Sequence, residues 1–148
     1  MTLHPNSELV AVAWLQGIPY LGSRVATVLP TDNSTWSASG FVTAVAAGGA
    51  APMYTPLRQP AIGVTCWGVA ATSGKPPWNL ASQLAEAILA ATLTHQTVPR
   101  RVSLPSGYAP AFVRSVRALT EPQRVPGDVA SYARYTLDLA LDWVEVPA

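Results

Sequence analysis

The sequence predicts an α+β fold: a mixed, mainly antiparallel sheet with two helices packed on it and a long C-terminal hairpin. The clearest sign is the stretch Ser131 to Val146, SYARYTLDLALDWVEV. Tyr135, Leu137, Leu139, Leu141 and Trp143 fall on one parity, and Arg134, Thr136, Asp138, Ala140 and Asp142 on the other. Successive strand side chains point to opposite faces, so this alternation reads as one long strand with an oily face and a wet or partner-facing face. Apolar residues at helical spacing mark only two segments, one near the start and one in the middle. The remaining apolar runs are β-branched and separated by proline and glycine.

Each element has its own local signal. Asn6 or Ser7 caps the first helix, and Glu8 places a carboxylate in the first turn, where the dipole favours it. Leu9, Val12, Ala13 and Gln16 keep helical spacing until Gly17, and Pro19 forbids resumption. Arg24 to Leu29, RVATVL, reads as a first strand ending at Pro30. Thr31 to Ser39, TDNSTWSAS, is rich in turn formers and reads as a loop. Gly40 to Ala47 is a second strand, ended by Gly48-Gly49, which accept positive φ.

The proline-bearing segment Ala50 to Pro60 suits an extended arm or a long crossover. Ala61 to Ala70 is apolar on both parities and reads as a buried third strand, in which Gly63 and Gly68 mark a bulge or a close backbone approach. Asn79 is the expected cap of the second helix, Leu80 to Leu93, with a stripe of Leu80, Leu84, Ala87, Ile88 and Ala91. Arg101 to Leu104 is a short strand, Phe112 to Leu119 a fourth clear one, and Glu121 to Val129 turns the chain into the final strand. No repeat or linker divides the chain, so the expectation is a single domain over its 148 residues. That length buries roughly 68–70% of the unfolded surface in one core, without disulfide or metal staples.

Composition narrows the function classes. Charged residues make up 11% of the chain, against an average near ~25%. Such a surface suits a subunit covered by copies or partners; the alternative is an ordinary Ala-rich chain. A net charge of +1 and a single lysine, Lys75, leave no footprint for neutralising phosphates. Cys66 lies in an apolar run, packs as a small hydrophobe and has no internal partner, which fits a reducing cytoplasm. Met1 to Ser7 lack the basic and apolar regions of a signal peptide, and no run approaches the ~20 apolar residues of a membrane span.

No catalytic, cofactor or metal site is expected. His4 and His95 lie far apart, and no His-x-x-x-His or Cys-x-x-Cys spacing supplies zinc ligands. There is no Gly-x-Ser-x-Gly elbow, Gly48-Gly49 lacks the rest of a dinucleotide fingerprint, and Ser73-Gly74-Lys75 is followed by prolines rather than a helix. Asp138 and Asp142 share one strand face roughly 13 Å apart at ~3.3 Å per residue, too far for a dyad sharing a proton. With Arg134 they form a charged stripe facing water, a lumen or a neighbour. Arg100, Arg101, Arg114, Arg117 and Arg124 form a basic region that is either simply solvated or paired with the acidic stripe of the next subunit. Trp36, alone in a polar loop, needs cover from its own sheet or from another subunit. A rival arrangement is a binding platform of Trp36, Trp67 and Trp78 in a small enzyme or ligand-binding module with a deep pocket.

The elements in order resemble the tail terminator proteins of long non-contractile-tailed bacteriophages. The matching pieces are the opening helix ELVAVAWLQG, the strand RVATVLP, a strand ending at Gly48-Gly49, the strand QPAIGVTCWG, the Ala-rich helix NLASQLAEAILAAT, and Arg134-Tyr135 inside the long C-terminal strand. Related proteins carry more charge around the third strand and second helix, where this chain has Cys66, Trp67, Pro76 and Pro77.

The resemblance implies a structural virion protein in the tail or neck, assembled in the host cytoplasm. It implies a hexameric ring that caps the head-proximal end of the tail tube, stops tube polymerisation and presents the head-tail joining surface. The implied partners are further copies, the tail tube protein and a connector or stopper protein. DNA passes through the lumen without specific binding, and no membrane is involved. Within that frame Trp36, Tyr54, Arg58, Arg100 and Arg101 are the candidate interface residues, and Asp138 and Asp142 the candidate lumen residues. An acidic or neutral lumen is expected, and Arg134 on the same lining counts against it. Another neck component is the near alternative, although stoppers are small β-barrels and two helices on a sheet favour the terminator.

Overall fold

A computed structural model describes residues 3–50, 56–69, 77–94, 98–125 and 132–146. Among these residues there are two α-helices, α1 (Ser7–Gln16) and α2 (Trp78–Ala91). Seven strands are present among the described residues: β1 (Val25–Ala26), β2 (Phe41–Ala50), β3 (Gln59–Val69), β4 (Arg100–Val102), β5 (Ala111–Ala118), β6 (Gln123–Arg124) and β7 (Tyr132–Glu145). They form one sheet in the order β1-β2-β3-β7-β5-β4, with β6 beside β7. β1 is parallel to β2 and every other pairing is antiparallel, so the mixed, mainly antiparallel α+β expectation holds.

The alternation of the C-terminal stretch is what places β7 at the centre. Leu137, Leu139, Leu141 and Trp143 are buried together with Ala133, and Tyr135 is half-buried against the same core, while Arg134, Thr136, Asp138, Ala140 and Asp142 are exposed or half-buried. The buried parity meets α1 and α2 in one core with Trp14, Leu15, Ile62, Leu84 and Ile88. Full burial of each such side chain contributes roughly 1.5–3 kcal/mol. α1 starts as expected, with Asn6 Oδ1 accepting from the Leu9 amide at 2.8 Å. α2 presents Ala81, Leu84, Ala85, Ile88 and Ala91, a stripe turned by a residue from the expected one at Leu80 and Ala87. Small alanines let it lie close on β3 and β7, and a Cβ on Gly68 would come within 3.1 Å of Pro77. Gly68 is thus a site of close backbone approach.

Four expectations are corrected. The first strand spans two residues rather than Arg24 to Leu29, because only Val25 faces the core and the chain leaves the sheet at once. Arg24 holds this departure by donating to the carbonyls of Tyr20, Leu21 and Ser39. Gly48 and Gly49 do not end β2. Their φ values of 119° and 112° form a bulge, after which Gly49 and Ala50 still pair with Pro60 and Gln59. β2 and β3 are therefore adjacent antiparallel strands with no crossover between them, and residues 51–55 of the proline-bearing segment lie outside the described ones. Asn79 is not the cap of α2: the helix begins two residues earlier, at Trp78, with Pro77 at the cap position and no side-chain cap bond.

The loop Thr31 to Ser39 carries a short 3₁₀ turn at Asn33–Thr35 and folds onto the sheet face opposite the helices. There Trp36, Phe41 and Val69 form a second, smaller core with Trp67 and Tyr132 against it. The fold thus has a main core under the helices and a small one at one end of the other face.

Candidate interaction surface

The sheet face turned away from the helices displays Thr43, Val45, Thr65, Thr136, Asp138 and Asp142 beyond the Trp36 cluster. Asp138 is exposed and Asp142 half-buried. Among the described residues neither carboxylate has an ion pair. Arg134 stands on the same face, its guanidinium 5.5 Å over the Trp67 ring, and Arg117 sits opposite Ala140 in the β5–β7 register. The face is therefore of mixed charge rather than acidic, and the presence of Arg134 counts against an acidic lining.

The remaining predicted residues are not gathered into one patch. Trp36 is 2% exposed, covered by Phe41, Val69 and Tyr132 of its own chain, which withdraws it as an exposed anchor. Its own sheet supplies the cover that a polar loop could not. Its Nε1–H has no acceptor among the described residues. Tyr54 and His95 lie outside the described residues. Arg58 is exposed at the surface and held within the chain: its guanidinium lies 5.0 Å over the Trp143 ring, and its backbone exchanges two hydrogen bonds with Trp143. Arg100 donates to the Trp14 carbonyl at 3.0 Å, a cation at the C-terminal end of α1 where the dipole favours one. Burial lowers its pKa. Arg101 is exposed beside Phe112, Val144 and Glu145, along an open apolar depression of about 560 Å³.

Trp36, Trp67 and Trp78 do not converge. Trp67 belongs to the outer cluster, whereas Trp78 packs edge-on to Tyr135 and beneath Arg124 at 4.8 Å, on the helix side. The expected three-tryptophan platform is therefore not formed. Among the described residues no three His, Cys, Asp or Glu side chains lie together as a metal site, and no helix is long and apolar enough to cross a membrane. The lone salt bridge there, His4 to Glu145 at 2.8 Å, ties down the N-terminal segment and is exposed, so it adds little stability.

Cys66 is fully buried, and desolvation pushes its thiol up to about 12. The thiolate is the reactive form, so the native protein should resist a thiol reagent at neutral pH and react once unfolded in denaturant. Fast labelling of folded protein would contradict the packing of β3.

Sequence reasoning missed one feature of the surface, the role of Glu8. Its carboxylate accepts the Ala46 amide at 2.9 Å, bridging α1 to β2. Glu8 was visible as a helix-start residue; its partner was not.

No protein-family model matches the sequence, and no curated protein does. Solved structures do match. One chain of the virion of a native gene transfer agent (GTA) particle shares the fold with a TM-score of 0.50 at 17% identity, over 94% of this chain and 90% of that one. At that identity the likeness speaks for the fold.

Proposed function

We propose that this chain is a structural protein of a phage-like virion, acting as one domain in the manner of a tail terminator. The observation that carries the reading is the fold likeness, nearly end to end, to a chain of a gene transfer agent virion. The order of elements that suggested tail terminators supports the finer assignment. Copies associate head to tail and close by rotation into a hexameric ring. The ring sits on the head-proximal end of the tail tube, halts its growth and joins the connector. Asp138 and Asp142 face the lumen, with Arg134 held back over Trp67. Arg101, beside the apolar depression at Phe112 and Val144, contacts a neighbouring protein.

The test is mass by light scattering on the purified chain, alone and mixed with the tail tube protein of the same particle. The expected result is a hexamer, or a monomer that becomes a ring on tube ends in electron micrographs. A monomer indifferent to tubes overturns the proposal.

A further inference from the structure

Among the described residues the sheet has two edges that no strand covers along part of their length, and we infer that they pair with each other between neighbouring copies of the chain. The inference rests on the ring reading above and assigns that ring its contact. The first edge belongs to β2. Strand β1 covers it only alongside Val42 and Thr43, so from Ala44 to Ala50 its outer side has no strand partner among the described residues. Val42 sends its N–H outward to the Arg24 carbonyl at 2.9 Å, and Ala46, on the same parity, points its N–H the same way. That amide is the one that donates to Glu8. A side chain therefore stands in for the missing strand.

The stretch Val45 to Ala50, VAAGGA, is exposed, uncharged and free of proline. A bare edge of this composition is a template for another strand. An open cleft of about 510 Å³, bordered by Glu8, Ala46 and Gly48 to Ala50, lies against this stretch and leaves it accessible.

The second edge lies on the other side of the sheet. β4 covers β5 only alongside Ala111 to Val113, and β6 pairs with β7 alone. From Arg114 to Arg124 the outer side has no strand partner among the described residues. This edge carries Arg114, Arg117 and Arg124, with Leu119 47% exposed.

Direction, charge and symmetry make the two edges partners. β2 is antiparallel to β3, β3 to β7 and β7 to β5. A second copy that continues the sheet without turning over thus presents β5 and β6 antiparallel to β2, the more stable pairing. Glu8 guards the first edge from the helix side, and Arg124, opposite Tyr135 on that same side, stands on the second. As the strands meet, Glu8 yields the Ala46 amide to a backbone carbonyl and turns to an arginine. Pairing β2 with a second β2 would instead bring two Glu8 carboxylates together. Each copy has one edge of each kind, so a closed head-to-tail ring leaves neither bare.

The experiment compares hydrogen exchange in the dilute chain with that in the assembled state, reached by concentration or on tail tube ends. Amides of 44–50 and 114–124 are expected to slow at least tenfold on assembly. Ala46→Pro removes an outward-pointing donor without touching the β3 ladder, and should weaken assembly at least tenfold while leaving the thermal melt of the monomer near wild type. Arg124→Glu should weaken assembly similarly, and Glu8→Arg combined with it should restore it; this pair stands in should Ala46→Pro misfold. An assembly in which those amides exchange as in the monomer, or which forms equally well with the variants, overturns the edge pairing and leaves the ring. Protection confined to 44–50 points to β2 paired with β2 and also overturns it. Failure of the wild-type chain to assemble even on tube ends overturns both readings.

Discussion

Trp143→Ala should destabilise the fold by about 3–5 kcal/mol, the usual range for deleting a buried tryptophan side chain. The residue is 1% exposed and joins three parts of the chain. Its Nε1–H donates to Ser7 Oγ at 3.1 Å, which ties β7 to the first turn of α1. Its backbone pairs with Arg58 at the start of β3, and its neighbour in the register on the other side is Val113 of β5. A domain of this size is held by only ~5–15 kcal/mol in all. The melting temperature should therefore fall by roughly 6–20 °C, or the chain should fail to fold. Trp143→Phe separates packing from hydrogen bonding: it retains most of the volume but leaves Ser7 without its donor, a loss of about 1–3 kcal/mol. Thermal denaturation followed by circular dichroism checks both. A cost below about 1 kcal/mol for the alanine variant, typical of surface positions, would mean that Trp143 does not sit in the core.

The second large effect is expected at Gly49. Its φ of 112° is left-handed backbone that side chains adopt at a cost of about 1–3 kcal/mol. A Cβ there would also come within 2.5 Å of the Pro60 Cα and 2.7 Å of the Ala61 nitrogen. Because those are backbone atoms, the two strands must separate to accommodate it. Gly49→Ala should therefore open the β2–β3 hairpin beyond Ala46. Amides of Ala50, Gln59 and Ala61 would then exchange fast while β3, β7 and β5 stay protected. Gly48→Ala is the control, since φ is 119° there too but nothing lies within 4 Å of the added Cβ. It should show the strain cost alone. Equal effects at the two positions would contradict the bulge geometry.

Loss of this hairpin end bears on function through Ala46. The amide that Glu8 holds is the last before the bulge, so an opened hairpin should also weaken assembly if the β2 edge is the contact.

Much of the fold was readable along the chain because its signals are local. Asn6, Glu8 and Gly17 bracket α1, and the period-two pattern of β7 picks out Leu137, Leu139, Leu141 and Trp143 as its buried face. Alternation is a property of one strand's own geometry, so no partner is needed to see it. The second helix was also visible, although it starts two residues earlier than expected because Pro77, close against Gly68, begins the turn without a side-chain cap.

The failures share a different cause. RVATVL has the composition of a strand, yet only Val25 and Ala26 find a neighbour to pair with. Gly48-Gly49 has the composition of a stop, yet a bulge lets the ladder continue. Trp36 in a polar loop needed cover from its own sheet or from another subunit, and which of the two was open until Val69 and Tyr132, far along the chain, joined nearby Phe41 to supply it.

For the candidate surface the division is sharper. Asp138, Asp142 and Arg134 were placed on one face by parity alone, and that placement stands. Which residues surround them, and which edges stay bare, depends on contacts that span the chain: Glu8 with Ala46, 38 residues apart, and Ser7 with Trp143, 136 apart. The sequence by itself determined the elements, their oily faces and the single-face charged stripe, because backbone geometry imposes those patterns on neighbouring residues. Strand order, the second core and the unpaired edges were decided by the tertiary structure, because hydrogen-bond partners and cover for a side chain are supplied by whatever segment packing brings alongside.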